Sequence, residues 1–313
     1  MQLRHLRYFV EIVEAGSFSR AAAIIHVAQP ALSLQIAELE GEIGVSLLHR
    51  GPRGVRPTAA GETLYREAAS ILRQIEQLPG KVRSTDGVTE GTVDLGMTPT
   101  LAAFLAGPFM EACHSAMPRV SLRFMTGHAL QIASRLEARA LDFALVFAPE
   151  NAHLRGFVRQ PLFRQRLFLL GRADTAASGA TVSLSELAHR PLALLPAPDA
   201  GRDGINRAFA AVGLVPVVTV EADTMSGLVA AVESGLGDTI VAIGDVSILP
   251  ARSALIARPI EPPVYVTASI IFPADAPLSG ASDRVRRLLV EFVTRRVAES
   301  PHAGAEWIGE VAP

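Results

Sequence analysis

Between Ser17 and Glu40 the chain reads SFSRAAAIIHVAQPALSLQIAELE, two short helical patterns meeting at a tight turn, and few architectures accommodate such a stretch. The run Arg20 to Ile25 combines strong helix formers with an apolar face, and Ser17 is placed to cap its first turn. A second helix begins near Gln29, because Pro30 is tolerated in a first turn where its missing N–H costs nothing. In that register Leu32, Ile36, Leu39 and Ile43 predict a buried stripe, while Gln29, Ser33 and Ala37 share a short-chained outer face. Two readings fit. One is a helical hairpin inside a core. The other is a helix-turn-helix whose second helix enters the DNA major groove. There Gln29 pairs with adenine, Pro30 packs on a thymine methyl, and Ser33 bonds a base or a phosphate.

The continuation, LLHRGPRGVRPTAAG from Leu47 to Gly61, favours the second reading. Arg50, Arg53 and Arg56 sit on a loop punctuated by Gly and Pro with no acid among them, as a β-ribbon wing against phosphates requires. A charge run is commonly just a solvated face, but this one follows the helices at the distance of a wing.

The patterns AAxxxHxAQPALSxQIxxLE and LLxRxxRGVxPTxAG closely resemble the N-terminal domain of LysR-type transcriptional regulators, most of all the nitrogen assimilation control subgroup. The resemblance implies an all-α winged helix-turn-helix with a long linker helix, followed by a two-lobed α/β effector domain like type 2 periplasmic binding proteins. It implies DNA contacts at Gln29, Pro30, Ser33 and Arg53. Two positions depart from the family pattern. Leu34 stands where many members carry Arg or Lys, and Ala28 where Ser or Thr often caps the recognition helix, a loss of about 1 kcal/mol.

Composition sets the bounds. With 313 residues, 49% of them hydrophobic, the chain is long enough for two or more packed domains. The net charge of −2 leaves nucleic-acid affinity to a local patch such as Arg50, Arg53 and Arg56. The single cysteine, Cys113, excludes an intrachain disulfide framework and a cysteine-rich zinc site. The N-terminus lacks the apolar block of a signal peptide, and no run approaches the roughly 18 apolar residues of a membrane span, so a cytoplasmic location without membrane contact is expected.

Leu3, Leu6, Phe9, Val10 and Val13 form the stripe of a first helix that stops at Ala15-Gly16. After the wing, Thr58 caps a longer helix whose apolar positions are Leu64, Ala68, Ile71, Leu72, Ile75 and Leu78. That stripe packs on its own domain or, as the resemblance implies, on the same helix of a second subunit, giving a pseudo-palindromic DNA site and a dimer of dimers. Leu78-Pro79-Gly80 is expected to end or kink the helix. Domains are therefore expected at 1–58 (DNA binding), 59–90 (linker and hinge) and 91–300 (effector domain). Lobe I takes 91–161 and 268–300, and lobe II takes 162–267. The tail from 301 to 313 is given no function. Strands alternate with helices from Thr92 to Ile243, an α/β pattern. LEARALDFAL and VESGLGDTIVAIG resemble the family's second domain, more loosely.

Three strand-to-helix turns offer ligand positions at helix N-termini: Thr98-Pro99-Thr100, Gly127-His128, and Arg202 ahead of a helix at Ile205. They predict a small anionic effector, a carboxylate for example; the alternatives are helix-capping threonines, a structural histidine, and an Arg202 paired with Asp199 or Asp203. No nucleophile elbow, phosphate loop, dinucleotide fingerprint or HExxH pattern occurs, so no enzyme, cofactor or metal is expected. The expected partners are promoter DNA, the effector and a second copy of the chain, with RNA polymerase admitted. A transport receptor and a regulator without any effector remain as alternatives.

Overall fold

The computed structural model describes residues 1–51, 54–83, 89–148, 156–174, 179–243, 254–275, 278–299 and 304–309. The first unit comprises α1 (Leu3–Ala15), α2 (Phe18–Ile24), α3 (Gln29–Ile43), and a hairpin of β1 (Leu48–Gly51) with β2 (Gly54–Pro57). The axes of α2 and α3 meet at 109°, inside the range for a helix-turn-helix. Phe9, Ile12, Phe18, Ala21, Leu32, Ile36, Leu39 and Leu47 form its core. The predicted stripes shift slightly at their ends. Leu3 and Ile43 are exposed, and Ile12, absent from the expected stripe of α1, is fully buried. Each exposed residue lies in a terminal turn, past the neighbouring helices that would cover it. Ser17 occupies the N-cap of α2 but makes no side-chain cap bond.

The long helix α4 (Ala59–Arg83) starts on Thr58, whose Oγ1 accepts from Gly61 N at 3.0 Å and donates to Ser46 O at 2.8 Å. Tyr65 ties this helix to α1 through Glu14, 3.0 Å away; burial and that carboxylate push the phenol up to about 12. The helix runs on through Pro79 and Gly80 to Arg83, so proline does not end it there. Among the described residues, no single helix is long and apolar enough to cross a membrane.

Two six-stranded sheets follow. The first has the order β14-β6-β13-β5-β3-β4, from β3 (Gly91–Met97), β4 (Val120–Thr126), β5 (Phe143–Ala148), β6 (Phe157–Arg166), β13 (Tyr265–Pro273) and β14 (Ala305–Trp307). In β5, successive side chains point to opposite faces. Phe143, Leu145 and Phe147 join the core with α5 (Pro99–Ala116) and α10 (Gly280–Glu299), where Phe109 meets Phe292 edge-on at 5.6 Å. Ala144, Val146 and Ala148 face Ile132 and Leu136 of α6 (Ala129–Glu137). Asp94, buried in β3, is held by Nε and Nη2 of Arg123 at 2.8 and 2.9 Å.

The second sheet, β10-β9-β11-β7-β12-β8, joins β7 (Phe168–Arg172), β8 (Val182–Ser183), β9 (Pro191–Leu194), β10 (Val217–Glu221), β11 (Asp238–Val241) and β12 (Leu255–Glu261). Its helices are α7 (Leu184–Leu187), α8 (Ala200–Ala211) and α9 (Met225–Glu233).

The chain changes sheet at Leu167, between β6 and β7, and again at 262–264, between β12 and β13. The two crossovers lie side by side: Leu167 N donates to Val264 O at 2.8 Å, and Arg166 Nη2 donates to Ile260 O at 2.8 Å and Glu261 Oε1 at 2.6 Å. The changeover thus falls a few residues away from the expected 161/162 and 267/268. Strand β6 escapes a sequence reading because Pro161 interrupts it. The register shifts there, Phe163 pairing with Ala268 and Pro161 with Ser269, and a bulge is where a strand tolerates proline. The tail also has structure: β14 adds to β6, and Ile308 N and Gly309 N donate to Leu162 O.

Candidate DNA interface and effector cleft

The recognition surface is built by three contacts that orient helix and wing. Ser19 Oγ donates to Gln29 Oε1 at 2.9 Å, linking α2 to the start of α3. Glu40 Oε1, near the end of α3, accepts from Leu47 N at 2.7 Å and Leu48 N at 3.2 Å, fixing the base of the wing. The turn between α1 and α2 docks on the wing's other strand, where Val55 N donates to Gly16 O at 2.9 Å.

On this frame Gln29 and Pro30 are exposed and Ser33 is half-buried, all outside the buried stripe. Ala28 stands at the N-cap with no side-chain bond, as its chemistry requires. Arg50 and Arg56 are exposed on the two strands of the wing. Arg50 lies over the Phe18 ring at 4.6 Å and within 4.0 Å of Glu40, so part of its charge is balanced inside the protein. Arg53 lies outside the described residues. Leu34 is 60% exposed on α3, a large apolar side chain that a search for polar base readers passes over.

The predicted effector residues fall around two separate spaces between the lobes. Thr98, Thr100 and Arg202 border a nearly closed cavity of about 20 Å³, together with Phe147, Asp199 and Ile240. Pro99 and His128 instead border an open groove of about 650 Å³ between α5 and α9, floored by Ala102, Ala106 and Val229. Thr98 Oγ1 accepts from Phe147 N at 3.4 Å, and Thr100 is buried beside it on the same cavity. His128 caps α6, its backbone N–H donating to Gln131 Oε1 at 3.2 Å.

Arg202 pairs with neither Asp199 nor Asp203 through its side chain. Its Nη1 donates to Leu195 O at 2.9 Å and Glu221 Oε1 at 3.0 Å, because the first turn of α8 points it along β10. Asp199 caps α8 instead, accepting from Gly201 N and Arg202 N at 2.8 and 3.0 Å. Burial pushes its carboxyl up, while those N–H donors and the nearby His128 pull it down. The N-cap residues of α5, α6, α8 and α9 (Thr98, His128, Asp199 and Thr224) all border the two spaces, so four helix N-termini meet between the lobes. No group of three or more His, Cys, Asp or Glu able to hold a metal ion occurs among the described residues.

Comparison with known proteins agrees with this geometry. Residues 3–62 match the bacterial regulatory helix-turn-helix protein, lysR family, and residues 86–294 match the LysR substrate binding domain. The nitrogen assimilation regulatory protein nac of Klebsiella aerogenes is 34% identical over 96% of this chain and 98% of its own length. The protein of that name from Escherichia coli K12 is 33% identical over 96% and 97%. Full-length OxyR C199D from Pseudomonas aeruginosa superposes with a TM-score of 0.68 at 25% identity, covering 93% of this chain and 94% of its own. CbnR complexed with its target DNA shares the fold with a TM-score of 0.71 at 22% identity, over 94% and 99%. The chain therefore belongs to the LysR family, within its nitrogen assimilation regulator subgroup, as a DNA-binding transcriptional regulator with an effector-binding domain rather than an enzyme.

Proposed function

We propose that this regulator binds pseudo-palindromic promoter sites as a dimer of dimers. Gln29, Pro30 and Ser33 read the major groove, and Arg50, Arg53 and Arg56 hold phosphates. The observation that carries this reading is the outer face of α3, exposed beside an acid-free wing on a helix pair crossing at 109°. Its test is the selection of genomic fragments bound by the full chain, which is expected to enrich one shared sequence with two-fold character. Enrichment of DNA without a common sequence would overturn it. In this reading residues 1–58 bind DNA, 59–90 link and dimerise, 91–300 sense the effector, and 301–313 form the tail.

The partner of α4 is a second copy of the same helix. Ile71 and Ile75 are each 40% exposed and Leu78 is 56% exposed, a stripe that a single chain leaves wet. An Ile71→Glu, Ile75→Glu variant is expected to lose the α4 pairing and to scatter light as a smaller assembly than the wild type at the same concentration. An unchanged mass would show that α4 is not the interface.

The effector in this reading is a small anion held between the lobes by Thr98, Pro99, Thr100, His128 and Arg202. Four helix N-termini bordering the two spaces support it. Arg202 reaches such a ligand by leaving Glu221. A panel of small carboxylates is expected to contain one that raises the melting temperature of the wild type and raises that of a Thr100→Ala, Arg202→Ala variant much less. Equal shifts in both would place the ligand elsewhere. No shift across broad metabolite pools would favour a regulator set by its own abundance.

A further inference from the structure

At 100° per residue, the helical wheel of α3 places Leu34 almost diametrically opposite the buried Leu32, Ile36 and Leu39. Pro30 and Ala37 flank it, also exposed, each within about 50° of that opposite pole. Gln29 and Ser33 lie to one side. Gln29 leans on Ser19 of α2 at 2.9 Å, and on the other side Gln35 is engaged with Glu38 at 2.7 Å. The most outward line of the recognition helix is thus apolar, with a leucine 60% exposed at its centre.

Water gains nothing from such a line, and a core has no access to it. In the major groove the one apolar feature a base pair presents is the C5-methyl of thymine. A charged residue at position 34 would reach phosphates and add affinity for any sequence, whereas leucine reaches only carbon. Resting on the DNA-binding reading above, we propose that Leu34 is a specificity-determining residue that packs on a thymine methyl in each half-site. Leu34 therefore replaces a general phosphate contact with a methyl-dependent one, and its contribution is insensitive to salt.

Deoxyuridine removes that methyl and leaves every hydrogen-bonding group in place. Each thymine of a selected fragment is replaced in turn, and the dissociation constant of the full chain is measured by fluorescence anisotropy. Beyond the thymine assigned to Pro30, one further thymine per half-site is expected to show about a fourfold loss on replacement, the factor equivalent to ~0.8 kcal/mol per buried methyl. Leu34→Ala, an exposed substitution that leaves the melting temperature unchanged, is expected to bind the thymine and uracil duplexes equally at that further position while keeping the loss at the Pro30 thymine. Leu34→Met, which restores an apolar side chain of similar reach, is expected to recover the methyl dependence. The proposal is overturned if no thymine beyond that of Pro30 shows a loss on replacement, or if Leu34→Ala keeps the wild-type loss at every thymine. A chain that enriches no common sequence at all overturns the DNA-binding reading first and this one with it.

Discussion

A Gln29→Ala, Ser33→Ala variant is expected to lose sequence preference while keeping its salt-sensitive grip on any DNA. A bidentate glutamine contact to adenine contributes about 1–3 kcal/mol of discrimination. A serine hydrogen bond adds about 1 kcal/mol. A two-fold protein makes both contacts twice, so roughly 4–8 kcal/mol is at stake against a typical gap of about 4–10 kcal/mol between specific and non-specific binding. The fold is spared, because neither residue belongs to the core of Phe9, Leu32, Ile36 and Leu39, and of the contacts that orient α3 the variant gives up only the exposed Ser19–Gln29 bond. The measurement is a mobility shift on a selected fragment titrated with salt. Wild type and variant should converge on random-sequence DNA, with the same dependence on salt, since Arg50 and Arg56 are untouched. A variant that still prefers the selected fragment by a wide margin would move the reading face to another side of α3.

The DNA-binding unit is legible in the sequence because its signals are local. Pro30 fixes where α3 begins, that start fixes which residues are three and four apart, and those spacings fix Leu32, Ile36 and Leu39 as buried. The stripe overruns only at Ile43, where the helix extends beyond the helices that cover it. The second half is legible as alternation, since β3, α5, β4, α6 and β5 each carry a run long enough to show its period. What escapes depends on distant partners. Strand β6 contains Pro161 and becomes a strand through β13, more than a hundred residues away; β14 is three residues long and exists by pairing with β6. The cleft shows the same limit. Thr98, Thr100 and Arg202 do border one space, but no local pattern tells that Glu221 engages the guanidinium or that His128 opens onto a different groove. Leu34 is legible only as a departure from the family pattern, a missing phosphate or base contact. Its exposure follows from the register that Pro30 sets, yet an apolar side chain carries no donor or acceptor that would assign it a role.

Gly54→Ala is expected to weaken binding to all DNA, whatever its sequence, by releasing the wing from the helices. Gly54 has φ +109°, a conformation that side chains rarely adopt, and a Cβ built there meets Gly16 O at 2.6 Å. Holding a non-glycine residue in that region costs about 1–3 kcal/mol. Relief of the clash separates the wing from the turn between α1 and α2, and so also breaks the Val55 N to Gly16 O bond, another ~1 kcal/mol. Gly61, in the first turn of α4, closes the base of the wing in the same way, since a Cβ there would lie 2.0 Å from Leu47 O. The core of the unit lies elsewhere, so the chain stays folded and the damage concentrates in where Arg50 and Arg56 stand. Every arginine drawn away from its phosphate makes the slope of log affinity against log salt shallower by about 0.9. Two arginines on each of two wings thus predict a slope shallower by up to roughly 3.6 per dimer. This signature is the converse of the Gln29→Ala, Ser33→Ala variant, whose slope holds while its preference vanishes. If Gly54→Ala instead retains the wild-type slope, the wing is a structural ribbon, and the phosphate-binding groups must be sought among the exposed arginines of α1 and α2, Arg4, Arg7 and Arg20.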